Sequence, residues 1–147
     1  MNDNSTQVYH VFIRATAEDI WRAIVSPERT AQYFYGTAIE VTPEAVTSRG
    51  SDGEITSTDA VLEFDPPRRL VQEWRSAYDP DLADEPVSRV TWQIEPRGDG
   101  LCLLTLTHDR LEASPKTAAD VGGPGWMYVL SSMKTLLETG SGLPSAG

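Results

Sequence analysis

Near its C-terminus the chain carries one long apolar stripe that begins directly after a glycine-rich break. The break is the string GGPG at 122–125. The stripe repeats at intervals of three and four residues and consists of Trp126, Val129, Leu130, Met133, Leu136 and Leu137. This periodicity predicts one helix over about 124–138, ended by Gly140, with Lys134 and Glu138 exposed. A helix with one apolar face has to bury it, so the rest of the chain must supply the opposing surface.

The middle of the chain, from 37 to 109, supplies short segments of strand character separated by turns. These predicted strands are Ala38–Thr42, Ala45–Arg49, Glu54–Phe64, Leu70–Ala77, Val87–Glu95 and Leu101–His108. Two consecutive prolines, Pro66 and Pro67, lack ladder N–H groups and are predicted to form the turn between two antiparallel strands. Leu62 and Phe64 share a face with Leu70 and Trp74 only if no bulge interrupts the strand. The acidic stretch Tyr78–Pro86 is predicted to be a polar loop.

The N-terminal part predicts a strand over Gln7–Ile13 followed by two short helices. Thr16 precedes Glu18 and Asp19 in a capping-box-like start, and Ser26 with Pro27 begins the second helix. The whole order predicts an α+β fold in which a curved antiparallel sheet wraps around the long C-terminal helix. We expect one domain over 1–147, with an ordered core of about 7–140.

Charge and composition restrict the partners that this chain can have. Twelve Lys and Arg against 22 Asp and Glu give a net charge of -10, which disfavours nucleic acid and anionic membrane surfaces. No apolar run reaches the length of about 18 residues that crosses a bilayer. The single cysteine, Cys102, cannot form an internal disulfide, and the string MNDNSTQ at 1–7 does not resemble a signal peptide. We therefore expect a cytoplasmic location; the sequence leaves open whether the chain forms a homodimer.

Four tryptophans carry more information about a site than the charged residues do. Trp21 lies on a predicted helix face, Trp74 and Trp92 on strands, and Trp126 at the start of the long helix. Such rings suit either a dry core or a pocket with flat apolar walls. A sheet curled around one helix leaves room for a cavity of a few hundred Å³. The predicted ligand-binding residues in its wall are Trp74, Trp92, His108, Trp126, Leu130 and Met133.

His108 follows Leu104 and Leu106 at every second position of a strand, so it is expected to face the core. It is either a polar or acid–base group at the inner end of the cavity, or a histidine hydrogen-bonded to backbone near the end of the sheet. The second interpretation is favoured because a catalytic imidazole needs a positioned partner. Motifs for zinc, nucleotide and covalent catalysis are absent, so no metal, cofactor or catalytic residue is predicted. The arginines between 68 and 97 are interleaved with Glu63, Glu73 and Glu95 on neighbouring predicted strands, which predicts cross-strand ion pairs rather than an anion site.

Four strings along the chain resemble one known family in the order in which that family carries them. They are IRATAEDIWRAIVSPE (13–28), VLEFDPPRRLVQEW (61–74), LLTLTHDRL (103–111) and GWMYVLSSMKTLLETG (125–140). Together they resemble the activator of Hsp90 ATPase homologue 1-like (AHSA1-like) family of the START-like (SRPBCC) superfamily. The resemblance implies the helix-grip fold. It implies no single activity, since that fold carries lipid carriers, cyclases, hormone receptors and co-chaperone domains.

Three functional hypotheses follow. The first is a protein that binds a small apolar or aromatic molecule between the long helix and the sheet. The second is an enzyme of the cyclase, aromatase or hydrolase kind, with His108, Tyr9 or Tyr128 as acid or base; two polar groups within hydrogen-bond reach in the pocket would favour it. The third is a co-chaperone-like interaction domain with a link to the stress response, which the family name implies and an exposed apolar patch would favour.

Overall fold

The structure, a computed structural model, describes residues 5–77 and 79–144. Its strands are β1 (Gln7–Ile13), β2 (Ala38–Val41), β3 (Ala45–Arg49), β4 (Ile55–Asp65), β5 (Arg69–Trp74), β6 (Ser88–Gly98) and β7 (Leu101–Asp109). Its helices are α1 (Ala17–Val25), α2 (Pro27–Thr30), α3 (Pro80–Ala83), α4 (Pro115–Asp120) and α5 (Trp126–Thr139), and a π-helical turn over Val121–Gly125 joins α4 to α5.

The seven strands form one curled sheet in the order β1-β7-β6-β5-β4-β3-β2. Every neighbouring pair is antiparallel. The concave face covers α5, whose buried residues join those of the sheet and of α1 in one hydrophobic core. This arrangement confirms the predicted α+β helix-grip fold.

The register of α5 agrees with the sequence prediction. Trp126, Leu130 and Met133 are buried, and Leu137 packs against the same core. Glu138 is exposed, but the Lys134 side chain is partly covered because its ammonium group donates to the backbone oxygen of Phe12, 2.8 Å away, and to Glu138. Lys134 therefore attaches the polar side of α5 to strand β1.

The turn after β4 contains Pro66 and Pro67, as predicted, but the face pattern on β4 is displaced by a bulge. The pairing of β4 with β5 shifts between Val61 and Glu63, so that Phe64 lies opposite Leu70 and turns inward. Leu62 is left 49% exposed on the outer surface. The bulge thus removes Leu62 from the apolar face that it would share with Phe64 in a regular strand.

The acidic stretch is more ordered than the loop that the sequence predicts. Tyr78 lies outside the described residues, but Asp79 caps the short helix α3, and Leu82 in that helix is buried. The Glu85 carboxylate accepts hydrogen bonds from the backbone N–H groups of Lys116 and Thr117. These bonds attach the stretch to the first turn of α4, and they lower the pKa of Glu85.

Candidate functional site

A pocket of about 470 Å³ lies at the N-terminal end of α5 and is partly open to solvent. Its floor is aromatic and comes from α5, from β5 and from the segment after α2. The π-helical turn between α4 and α5 forms another side. The lining residues are Phe34, Tyr35, Thr37, Trp74, Asp120, Val121, Pro124, Gly125, Trp126 and Val129.

Three rings in this lining contact one another and form the corner of the pocket. The centroids of Trp74 and Trp126 are 5.1 Å apart, and Phe34 lies 5.9 Å from the first and 5.8 Å from the second. Their planes are inclined to one another by 35–89°. Because the rings are far from coplanar, they offer walls in different directions and not one flat surface.

His108 lies behind this corner and is fully buried. The indole N–H of Trp126 donates to Nδ1 of His108 over 3.0 Å. On the other side of the imidazole, Nε2 lies 2.7 Å from the hydroxyl oxygen of Ser88. Both ring nitrogens therefore have side-chain partners, whereas the sequence favoured a backbone partner near the end of the sheet.

These partners determine the protonation state of His108. An indole nitrogen can only donate, so Nδ1 of His108 must be unprotonated, and the neutral ring then carries its proton on Nε2 and donates it to Ser88. Burial lowers the pKa of His108 to about 4, and the nearby Asp109 carboxylate opposes this effect in part. At neutral pH the imidazole is a neutral support that fixes the orientation of Trp126.

The segment that carries Phe34 is held by two buried residues. The Tyr33 hydroxyl donates to the backbone oxygen of Ala23 in α1 over 2.7 Å, and burial raises the Tyr33 pKa. Thr30 accepts a 2.7 Å hydrogen bond from the backbone N–H of Ile39 through its hydroxyl oxygen. The chain between α2 and β2 is thereby fixed at both ends, which places Phe34 against the tryptophans.

At the mouth of the pocket, the backbone of Tyr35 has an unusual conformation. Its φ is 54° and that of Gly36 is 76°, so two successive residues lie in the left-handed region. The exposed Tyr35 ring stacks on Tyr128 of α5 at 4.7 Å and 26°. The left-handed turn therefore directs the Tyr35 ring across the opening toward Tyr128.

Within the described residues, the pocket lining carries one charged group, and it is negative. Asp120, at the end of α4, is the only charged residue that lines the pocket among residues 5–77 and 79–144. Burial raises the pKa of Tyr35, and the neighbouring Tyr128 and Asp120 add to this effect. The five arginines of the strand region all lie in ion pairs, but the predicted cross-strand pairing holds for only three of them: Arg69 with Glu63, Arg75 with Asp59 and Arg89 with Asp109. Arg68 pairs with Asp65 inside the turn after β4, and Arg97 pairs with Glu95 on the same strand.

Trp74 and Trp126 line the pocket, and two more of the predicted site residues lie directly behind Trp126. Trp92 meets Trp126 edge-on at 5.8 Å, and His108 lies 5.9 Å from it. These four of the six predicted side chains therefore form one contacting group, but Trp92 and His108 support the wall and do not form it. The pocket is also open to solvent, whereas an internal cavity was predicted.

Leu130 and Met133, which were also predicted to bind ligand, lie on later turns of α5 in the hydrophobic core. Neither lines the pocket. The space between helix and sheet is filled by side chains at their level, so the opening is confined to the N-terminal end of α5. Their placement follows from packing around a helix whose apolar face continues beyond the pocket.

Phe34, Tyr35 and Asp120 are lining residues that the sequence analysis did not select. The aromatic run YFY at 33–35 just before Gly36 was the available signal for two of them. A short aromatic run next to a glycine does not reveal which ring turns inward. Only the left-handed turn and the hydrogen bond of Tyr33 to α1 decide that.

The described part of the chain holds neither a metal-binding cluster nor a helix suited to crossing a membrane. No group of three or more His, Cys, Asp or Glu side chains there is arranged to hold a metal ion. None of the helices there combines the length and the apolar character that crossing a lipid bilayer requires.

Comparison with protein families places the fold in a sequence family. The model of the family described as "Activator of Hsp90 ATPase homolog 1-like protein" matches residues 14–138. The chain belongs to this family. The match extends from the residue after β1 to the last turn of α5, so all the elements around the pocket of this AHSA1-like chain fall within it. A search of curated proteins found no match.

Solved structures similar to this AHSA1-like chain have different descriptions. A conserved protein of unknown function from Enterococcus faecalis is 17% identical, with a TM-score of 0.73 over 99% of this chain and 79% of its own. DynU16, a protein in the dynemicin biosynthetic locus, is 21% identical, with a TM-score of 0.70 over 94% of this chain and 49% of its own. An HSP90 activator from Plasmodium falciparum is 18% identical, with a TM-score of 0.72 over 91% of this chain and 96% of its own. At these identities the likeness shows a shared fold.

Proposed function

We propose that this protein binds a small apolar or aromatic molecule in the pocket at the N-terminal end of α5. The observation that carries the proposal is the corner of Phe34, Trp74 and Trp126 at an opening of about 470 Å³. Apolar pockets of some 300 to 1,000 Å³ with a few polar groups are typical of small-molecule sites. Phe34 and Trp74 are only partly buried, and a flat ligand would cover the part of their rings that faces the opening.

The rigidity of the corner also supports binding. Trp126 is held by its hydrogen bond to His108 and by the edge of Trp92, so its ring does not have to be ordered when a ligand arrives. A wall that is fixed before binding reduces the entropy lost on association. The buried histidine therefore contributes to ligand binding by positioning the tryptophan.

The enzyme alternative loses its main candidate residues. Both nitrogens of His108 are engaged by Trp126 and Ser88, and His108 does not line the pocket. The Tyr128 hydroxyl donates to the backbone oxygen of Pro144, and that of Tyr9 donates to Gln7. None of the three side chains predicted as acid or base is directed at a ligand in the pocket, so binding is the better-supported function.

The interaction alternative gains no residue from the comparisons. The likeness to an HSP90 activator is a likeness of fold at 18% identity. Exposed apolar side chains do occur on the outer surface of the sheet, among them Val8 and Phe12 on β1. No chemical feature of these side chains indicates a chaperone as the partner.

Filling the pocket tests the proposal most directly. Thr37 lines it and is half-buried, so Thr37→Trp would place an indole in the opening without removing a core side chain. Thr58→Trp, on the exposed face of β4, is the matched control. Neutral naphthalenemethanol is titrated calorimetrically into each protein, and native mass spectrometry of protein purified from its host shows whether a small molecule is already bound.

We expect wild type and Thr58→Trp to bind the probe with equal affinity and Thr37→Trp to bind it at least about tenfold more weakly, a difference of roughly 1.4 kcal/mol. Circular dichroism confirms that both variants are folded. Equal affinity in all three proteins would place binding elsewhere and overturn the proposal, as would absence of binding to the wild type.

A further inference from the structure

Within the described residues, the lining of the pocket carries a negative charge and no positive one. Asp120 is its one charged side chain in the described part of the chain, and no lysine or arginine there faces the opening. The arginines nearest in sequence to the lining residue Trp74 are bound to acidic partners, Arg69 to Glu63 and Arg75 to Asp59. The whole chain has a net charge of -10. Both the local and the overall field at this pocket therefore favour a positive charge.

The aromatic walls favour the same charge. The faces of tryptophan, tyrosine and phenylalanine rings carry negative electrostatic potential and attract cations, tryptophan most strongly. Here two tryptophans, one phenylalanine and the ring of Tyr35 surround one opening, and the three inner rings are inclined by 35–89° to one another. A group of aromatic walls with a carboxylate at the rim is a combination that recognises ammonium groups.

We propose that the pocket selects ligands in which an apolar or aromatic body carries a positively charged amine, with the body on the tryptophans and the ammonium group toward Asp120 and the ring of Tyr35. The inference depends on the proposed function, because it assigns a ligand class to the same site. Neutral ligands of the same shape bind more weakly, and carboxylates are repelled by Asp120.

Three probes of the same shape and different charge test this selectivity. Naphthylmethylammonium, naphthalenemethanol and naphthoate are titrated calorimetrically into wild type, Asp120→Asn and Asp99→Asn at low and at raised salt. Asp99 is the matched control because its substitution changes the net charge equally. It lies in the turn between β6 and β7, roughly 30 Å along the strand from His108 at about 3.3 Å per residue.

For wild type we expect the cation to bind on the order of tenfold more tightly than the neutral probe, since an ion pair and a cation–π contact at a half-exposed site each contribute about two- to fivefold. Asp120→Asn should reduce this preference about two- to fivefold and leave naphthalenemethanol unaffected. Asp99→Asn should retain the full preference. Raised salt should weaken only the binding of the cation.

Equal affinity for the cation and the neutral probe in wild type would overturn the charge selectivity while leaving the binding function in place. Retention of the full preference in Asp120→Asn would overturn the role of Asp120. The salt dependence in wild type provides a test that does not need the variant to fold. If none of the three probes binds to wild type, the binding function itself fails.

Discussion

The indole N–H of Trp126 donates to Nδ1 of the fully buried His108, and this hydrogen bond joins the wall of the pocket to strand β7 of the sheet. It determines the neutral tautomer of the imidazole and the direction of the indole. The opposite ring nitrogen is paired with Ser88 at the start of β6. His108 was predicted to bind ligand, but in the structure it positions Trp126, which lines the pocket.

The first prediction concerns this pair. Trp126→Phe leaves Nδ1 without a donor, and His108→Leu leaves the indole N–H without an acceptor; each loss costs about 1–3 kcal/mol. Because the two changes remove the same hydrogen bond, their effects on the free energy of unfolding should not add. Urea denaturation of the single and double variants should give a coupling energy of about 1 kcal/mol or more. Additive effects would show that the bond contributes nothing measurable.

The second prediction is a loss of stability in mild acid. The pKa of His108 is lowered to about 4, whereas an unfolded histidine titrates near 6.5. The unfolded chain therefore binds a proton first, and stability falls as the pH decreases from about 6.5 to 4, by about 3 kcal/mol in total.

Urea denaturation should show the slope between about pH 6.5 and 5 in wild type and a flat profile there in His108→Leu, because Glu85 and Glu138, whose pKa values the fold lowers, lose their contribution only at lower pH. Arg89 lowers the pKa of the neighbouring Asp109, so the contribution of that carboxylate is lost only below about pH 4, outside this window. An unchanged slope in His108→Leu would assign the acid sensitivity to other groups.

The third prediction tests the buried face of α5 with two methionines on the same helix. Met133 is 0% exposed and Met127 is 54% exposed. Met133→Asp should cost about 3–5 kcal/mol by burying an unpaired charge, whereas Met127→Asp should be nearly neutral because it adds an acidic residue to the first turn of a helix. Thermal denaturation of both variants distinguishes them, and equal melting temperatures would contradict the assigned register.

The fourth prediction tests the bulge in β4. Phe64 packs edge-on against Trp21 at 5.3 Å, while Leu62, two positions earlier, is exposed. Phe64→Ala should lower stability by about 2 kcal/mol or more, and Leu62→Ala by about 0.5 kcal/mol or less. Similar losses in chemical denaturation would indicate a regular strand with both side chains on one face.

Local patterns in the sequence were sufficient to predict most of the fold. The period of α5 follows from apolar residues at intervals of three and four, and the turn at Pro66 and Pro67 follows from their missing N–H groups. These features depend on backbone chemistry and on the division of side chains between water and core, both of which act over a few neighbouring residues. The bulge that exposes Leu62 escaped this reasoning because it depends on the pairing of β4 with β5.

The pocket, in contrast, is a product of tertiary structure. The sequence indicated that tryptophans and His108 come together at one end of α5, because it placed them on elements that share one core. Which of them face the opening was decided by the packing of His108 and Trp92 behind Trp126 and by the left-handed turn at Tyr35. Asp120 reaches the rim only because the chain turns between α4 and α5. Contacts between residues far apart in the chain have no local signature, so the sequence alone determined the fold and the tertiary structure determined the site.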